Sequence, residues 1–216
     1  MTNLLIAALA LSQTQAWELK APYKENESDK YTVVIKIQDQ GQEMSVDMVL
    51  ERKIAKKTDK GFEGTFGWIQ LFVEGEQQPD ETFAIVLKPN GVLKSVKSDY
   101  GDAMRRMFLP FFLAYPDKGV TKDTAWTYKD AQEDETDAHK ASVEYKVVGE
   151  EKIKDKQAMK VSFTMTEEGP SPMKSSGFFW VAQDGNVLKY ELNVTGWPVP
   201  VAGTVFDAKI TADLVG

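Results

Sequence analysis

Hydrophobic and polar residues alternate along most of the chain, and a period of two is the pattern of strands with one buried face. Tyr31, Val33, Ile35 and Ile37 fall on one side of a first strand. Met44, Val46, Met48 and Leu50 do the same in a second. Phe62, Phe66, Trp68 and Phe72 are expected to line one face of a third, where Gly64 and Gly67 suggest a bulge or a close backbone approach. Asn90-Gly91, set between Thr82–Leu87 and Val92–Val96, predicts a tight hairpin, because Asn-Gly takes positive φ at little cost.

The period then changes. Ala103, Met104, Met107, Phe108, Phe111 and Phe112 recur at spacings of three and four, with Arg105 and Arg106 on the opposite side. This predicts an amphipathic helix of about three turns beginning near Asp102, shortened or kinked by Pro110, which lacks an N–H and crowds the preceding turn. Strands resume at Thr124–Tyr128. They continue through the alternating sets Ala141 to Val147, Met159 to Met165, Phe178 to Val181, Leu188 to Val194 and Phe206 to Leu214. Asp130 to Asp137 reads as an acidic hairpin loop, and Gly196 to Val201 as an apolar loop stiffened by Pro198 and Pro200.

The predicted fold is therefore mainly β: a curved antiparallel sheet or half-barrel made of two meander halves, with one amphipathic helix packed on the concave face. Phe83 to Lys94 and Phe178 to Lys189 match at a fixed offset in Phe, Val and a Val-Leu-Lys run. That suggests a duplication into halves 17–99 and 120–216, joined by a helix over 100–114 within a single domain, 17–216.

The segment before this domain changes the expected compartment. Leu4 to Leu11 is apolar and Thr14-Gln15-Ala16 resembles a small-x-small cleavage site, which predicts a signal peptide over 1–16 and Trp17 as the mature N-terminus. Met1-Thr2-Asn3 carries no Lys or Arg, so the charged lead of such a segment is weak. The apolar run is shorter than the roughly 20 residues a membrane-spanning helix needs. The expectation is a periplasmic or secreted protein that does not span a membrane.

Composition removes several chemistries. The chain has 216 residues, a net charge of −7, no cysteine and one histidine. Disulfides, thiolate nucleophiles and cysteine metal sites are excluded, and the acidic balance disfavours nucleic acid. His139 sits in a charged run and is expected to be solvated; no Gly-x-Ser-x-Gly or phosphate-binding glycine loop occurs. Two acidic groups, Glu74, Glu76, Asp80 and Glu81, then Glu133, Asp134, Glu135 and Asp137, leave a carboxylate hydrolase or a weak Ca²⁺ site formally open. Solvated loops account for them more simply. No catalytic residue, metal ligand or cofactor is expected, and the reading is non-enzymatic.

One resemblance adds to this. Phe111 to Trp126, running through Pro116-Asp117, Val120 and Asp123-Thr124-Ala125-Trp126, resembles a pattern in an uncharacterised family of exported bacterial β proteins. Tyr145-Lys146-Val147-Val148-Gly149-Glu150-Glu151 and Trp180-Val181 to Gly185 resemble its later strands. The chain departs from the pattern at Lys122, where the family has glycine. The resemblance implies export and a β architecture, and no activity. The fold is also distantly similar to the periplasmic lipoprotein carriers, which implies a site for acyl chains.

Two readings of function follow. In the first, an apolar ligand such as a lipid or acyl chain lies between sheet and helix, bound by Met104, Met107, Phe108, Phe111 and Phe112 with Trp197 at the rim. In the second, the protein is an envelope structural or interaction module that meets a protein partner through the loop bearing Trp197, Val199 and Val201, without a small-molecule ligand.

Overall fold

Alternation becomes an antiparallel ladder. The computed structural model describes residues 16–39, 41–130 and 139–215. β1 (Ser28–Asp39) and β2 (Gln42–Thr58) pair with Ile35 opposite Val46 and Ile37 opposite Met44. β3 (Gly61–Val73), the short β4 (Glu76–Gln78), β5 (Glu81–Leu87) and β6 (Leu93–Lys97) complete the first half. The second runs through β7 (Ala125–Lys129), β8 (Lys140–Ile153), β9 (Lys156–Glu168), β10 (Lys174–Ala182), β11 (Val187–Val199) and β12 (Thr204–Leu214).

Eleven of these strands follow the order β6-β5-β3-β2-β1-β12-β11-β10-β9-β8-β7, and β4 hangs from β3. The halves join at the centre, where Ile35 of β1 faces Ile210 of β12. The sheet is antiparallel and open, with the five-residue strands β6 and β7 as its edges.

Between the halves lies the one α-helix among the described residues, α1 (Asp102–Phe108), followed by a 3₁₀ turn over Leu109–Phe111. It is shorter than three turns because Pro110 has no N–H to continue the ladder. Phe112 is already extended. The helix touches strands from across the sheet: Phe108 meets Phe66 of β3 at 4.9 Å, and Arg106 reaches Glu167 of β9. A flat sheet could not present these strands to one short helix, so the sheet curls and the helix occupies its concave face. No described helix is long and apolar enough to cross a membrane.

Three expectations are corrected here. Arg105 and Arg106 do not form a solvated face; both are buried. Arg105 binds the carboxylate of Asp130 and donates to the Lys94 carbonyl of edge strand β6. Arg106 donates through Nε and Nη2 to Glu167, which also accepts the Met173 N–H. A buried guanidinium is tolerable only with such partners. Lys88, in the β5–β6 turn, lies 3.6 Å from Asp130 as well, so this cluster ties the two sheet edges together at one end.

His139 is likewise not freely solvated: its side chain is 14% exposed, with Nε2 at 2.7 Å from the Pro170 carbonyl and Nδ1 at 3.5 Å from Asp102. Phe72 does not share a face with Phe62, Phe66 and Trp68. The β2–β3 register pairs Leu50 with Trp68 but Val49 with Gln70, so Ile69 is an extra residue. A bulge of one residue reverses the facing of everything beyond it. Phe72 consequently points outward and is 36% exposed, while Leu71 and Val73 turn inward.

Gly64 and Gly67 of β3 mark close approaches. A Cβ on Gly64 would lie 2.0 Å from the Lys53 carbonyl oxygen, and one on Gly67 2.1 Å from that of Glu81. The turn lacking the family glycine at Lys122 forms with Asp123 at φ 67, a left-handed conformation Asp tolerates better than most residues. Residues 1–15 of the expected signal peptide and the acidic residues 131–138 lie outside the described residues. Trp17 is buried and exchanges two backbone hydrogen bonds with Val120, at 2.8 and 2.7 Å.

Candidate apolar binding site

The concave face is not completely filled. Between α1, strands β1 to β3 and the β11–β12 connection lies a cavity of about 850 Å³, a figure that includes open solvent at its mouth. About 230 Å³ of this can hold the centres of water-sized groups. Ile35, Leu50, Trp68 and Phe108 make its floor, all strongly buried. Half-buried Met44, Leu71, Val73, Val199 and Phe206, with exposed Ala202, make its rim.

All sixteen lining residues are apolar or tryptophan. The two indoles already have acceptors: Trp68 donates to the Pro79 carbonyl at 3.2 Å, and Trp197 to the Met107 carbonyl at 2.9 Å. The lining therefore offers no free hydrogen-bonding group. A water deep inside would lack its two to four polar partners.

Local sequence explains how the walls arise. Pro110 ends the helix while Met107, Phe108 and Phe111 still face the cavity. On the opposite wall, β11 carries an extra residue: Val194 pairs with Ala208, but Trp197 pairs with Phe206. Gly196, at φ 67, takes the bulge, and its N–H donates to the Asp207 carboxylate at 3.0 Å. This shift turns Trp197 and Val199 inward. The stretch expected as a proline loop is thus the end of β11 and a 3₁₀ turn over Pro200–Ala202.

Of the residues proposed from sequence, Met107, Phe108, Phe111 and Trp197 line this cavity. Met104, with 0% exposure, packs into the core and does not line it. Phe112 has turned away with the extended chain and lines a separate crevice of about 10 Å³, room for one water at most. The neighbouring chain is tied down: the Ala114 N–H donates to the Tyr145 hydroxyl, and the Trp126 indole donates to the Ala114 carbonyl. Leu71 and Val73 were missed, because the bulge that turns them inward leaves no mark in the alternation.

Ionisable chemistry lies elsewhere. Glu74 and Glu76 are exposed near the mouth, and no carboxylate lines the cavity. Among the described residues no group of three or more His, Asp or Glu side chains is placed to hold a metal ion. Besides Arg52, the strongly shifted groups are buried tyrosines. Burial raises the hydroxyls of Tyr31, Tyr115, Tyr145 and Tyr190, keeping them neutral donors and acceptors of the core.

No family model matches the chain, and no curated protein matches it. Among solved structures it is similar to an exported-protein candidate with YmcC-like fold from Bacteroides fragilis, at 12% identity and TM-score 0.36, over 94% of this chain and 100% of that one. It is also similar to a lipoprotein candidate from Parabacteroides distasonis, at 9% identity and TM-score 0.39, over 91% of this chain and 99% of that one. At these scores neither likeness bears on what this chain binds or does.

Proposed function

We propose that this is an exported, non-enzymatic binding protein that holds an apolar ligand, such as a lipid or acyl chain, between its sheet and helix. The observation that carries the reading is the cavity, open at one end, with no unsatisfied polar group in its lining. Its volume of about 230 Å³ lies just below the roughly 300–1,000 Å³ of drug-sized ligand sites, which suits one slender chain. Met44, Met48 and Met107 supply flexible walls that adapt to a chain of variable conformation. Export rests on the signal-like segment at residues 4–16 of the sequence.

The experiment is mass spectrometry of organic extracts from purified protein, beside Val73→Trp, which narrows the mouth. Co-purifying alkyl compounds that are depleted in the variant support the reading. Their absence from both, with no uptake of added alkyl compounds, removes it. The alternative, a protein-interaction module, drew on Trp197 as a loop residue. That side chain is 4% exposed and bonded to the helix, which leaves it little surface to offer a partner.

A further inference from the structure

The mouth differs in character from the interior, and the difference bears on which end of a ligand it meets. Four exposed carboxylates stand next to rim residues in the chain or the ladder, and of these Glu76, opposite inward-facing Val73, shares the cavity's face. Glu43 precedes Met44, Glu74 follows Val73, Glu76 pairs with Val73 across the β3–β4 turn, and Asp207 follows Phe206. Lys36 is the nearest cation in the ladder, and its ammonium is already 2.9 Å from Glu43. Lys209 pairs with Lys36 in the β1–β12 register, farther from the mouth than the pairing of Asp207 with Gln38. The guanidinium of Arg106, next to Met107 in the wall, is engaged by Glu167. No described cation lines the cavity to meet an anionic head group.

The interior sets the other end. A ligand group that requires hydrogen bonds would be stranded there, at the cost that accompanies any buried unpaired polar group. Scaled from the ~150 Å³ apolar cavity that holds benzene, 230 Å³ encloses about nine carbons.

We infer that the cavity takes a single alkyl chain tail-first and leaves a neutral or cationic head group at an acidic mouth, an inference that rests on the apolar-ligand reading above. Head groups sit in water, so the selection acts through screened charge and depends on salt.

Calorimetric titration of the full chain tests this with three decyl probes, bearing a trimethylammonium, a maltoside or a carboxylate head, each below its micelle-forming concentration. At about 20 mM salt, where the Debye length exceeds 20 Å, decyltrimethylammonium is expected to bind roughly fivefold more tightly than decanoate, with the maltoside between; at about 300 mM the gap closes. The triple variant E43Q/E74Q/E76Q is expected to lose the gap at low salt while keeping maltoside binding. Decanoate binding as tightly as the cationic probe at low salt, or a gap unchanged in the triple variant, overturns the head-group inference and leaves the apolar-ligand reading standing. Failure of all three probes to bind overturns both.

Discussion

The indole N–H of Trp197 donates to the backbone carbonyl of Met107 at 2.9 Å, across 90 residues of sequence. Met107 lies in the last turn of α1, where carbonyls lack an intrahelical partner. One bond therefore finishes the helix end and fixes the strand wall of the cavity against its helix wall. Trp197→Phe keeps a ring in place but strands that carbonyl. A loss of about 1–3 kcal/mol is expected, read as a lower urea midpoint at unchanged m-value. A midpoint equal to wild type would show that the bond contributes nothing.

The Arg106–Glu167 pair should respond in the opposite way to single and double replacement. Glu167 is 1% exposed at its side chain and accepts from both Arg106 and the Met173 N–H. Arg106→Met leaves a buried, uncompensated carboxylate, so a loss of about 3–5 kcal/mol is expected. Adding Glu167→Gln removes the charge but keeps an acceptor for Met173, and most of the loss should return. Denaturation of the four proteins in a double-mutant cycle measures the coupling.

Stability should collapse in alkali. Burial raises the hydroxyl pKa values of Tyr23, Tyr31, Tyr115, Tyr145 and Tyr190 above the ordinary value of 10.0. A group whose pKa is higher folded than unfolded stabilises fully below the unfolded value. That contribution is lost as pH rises from there toward the folded value. Each tyrosine removes up to about 1.4 kcal/mol per pH unit in that window, so five acting together predict a steep transition that begins near pH 10. Circular dichroism with tyrosinate absorbance at 295 nm follows it. Ionisation of all the tyrosines before any loss of structure would contradict the assignment of these five to the core.

Ligand affinity should climb with chain length and then stop. Each methylene drawn into the cavity contributes about 0.8 kcal/mol, close to fourfold in Kd, until the enclosed space is full near nine carbons. Phe108→Ala opens the floor, so the plateau should move to longer chains, alongside a stability loss of about 3–5 kcal/mol. Titration of an alkyl maltoside series into both proteins checks the two effects; a plateau at the same length in both would place the ligand somewhere other than beside Phe108.

The glycines and the hairpin show how far local reasoning reached. Gly64 and Gly67 interrupt the side-chain pattern of β3, and the reason, carbonyls of β2 and β5 pressed where a Cβ would stand, is a close approach of the expected type. Asn90-Gly91 marks a hairpin that does form, but only Gly91 takes positive φ, at 88°, and the Gly91 N–H donates to the Lys88 carbonyl, so Pro89-Asn90 is the central pair of the turn. The arginines show the opposite case. Arg105 and Arg106 look like a solvated helix face because their partners, Asp130 and Glu167, lie 25 and 61 residues away.

Hydrophobic periodicity by itself, two in the strands and three to four in the helix, determined the mainly β, antiparallel character of this chain, the place of its helix and the apolar nature of the space between them. These follow from which side chains avoid water, a property of each residue and its near neighbours. Tertiary structure alone decided the burial of the helix arginines and the identity of the cavity wall. Two single-residue bulges, at Ile69 and before Trp197, turn Leu71, Val73 and Val199 inward and Phe72 outward. Whether a strand slips by one residue depends on the register its neighbours hold, and no pattern within the strand encodes that.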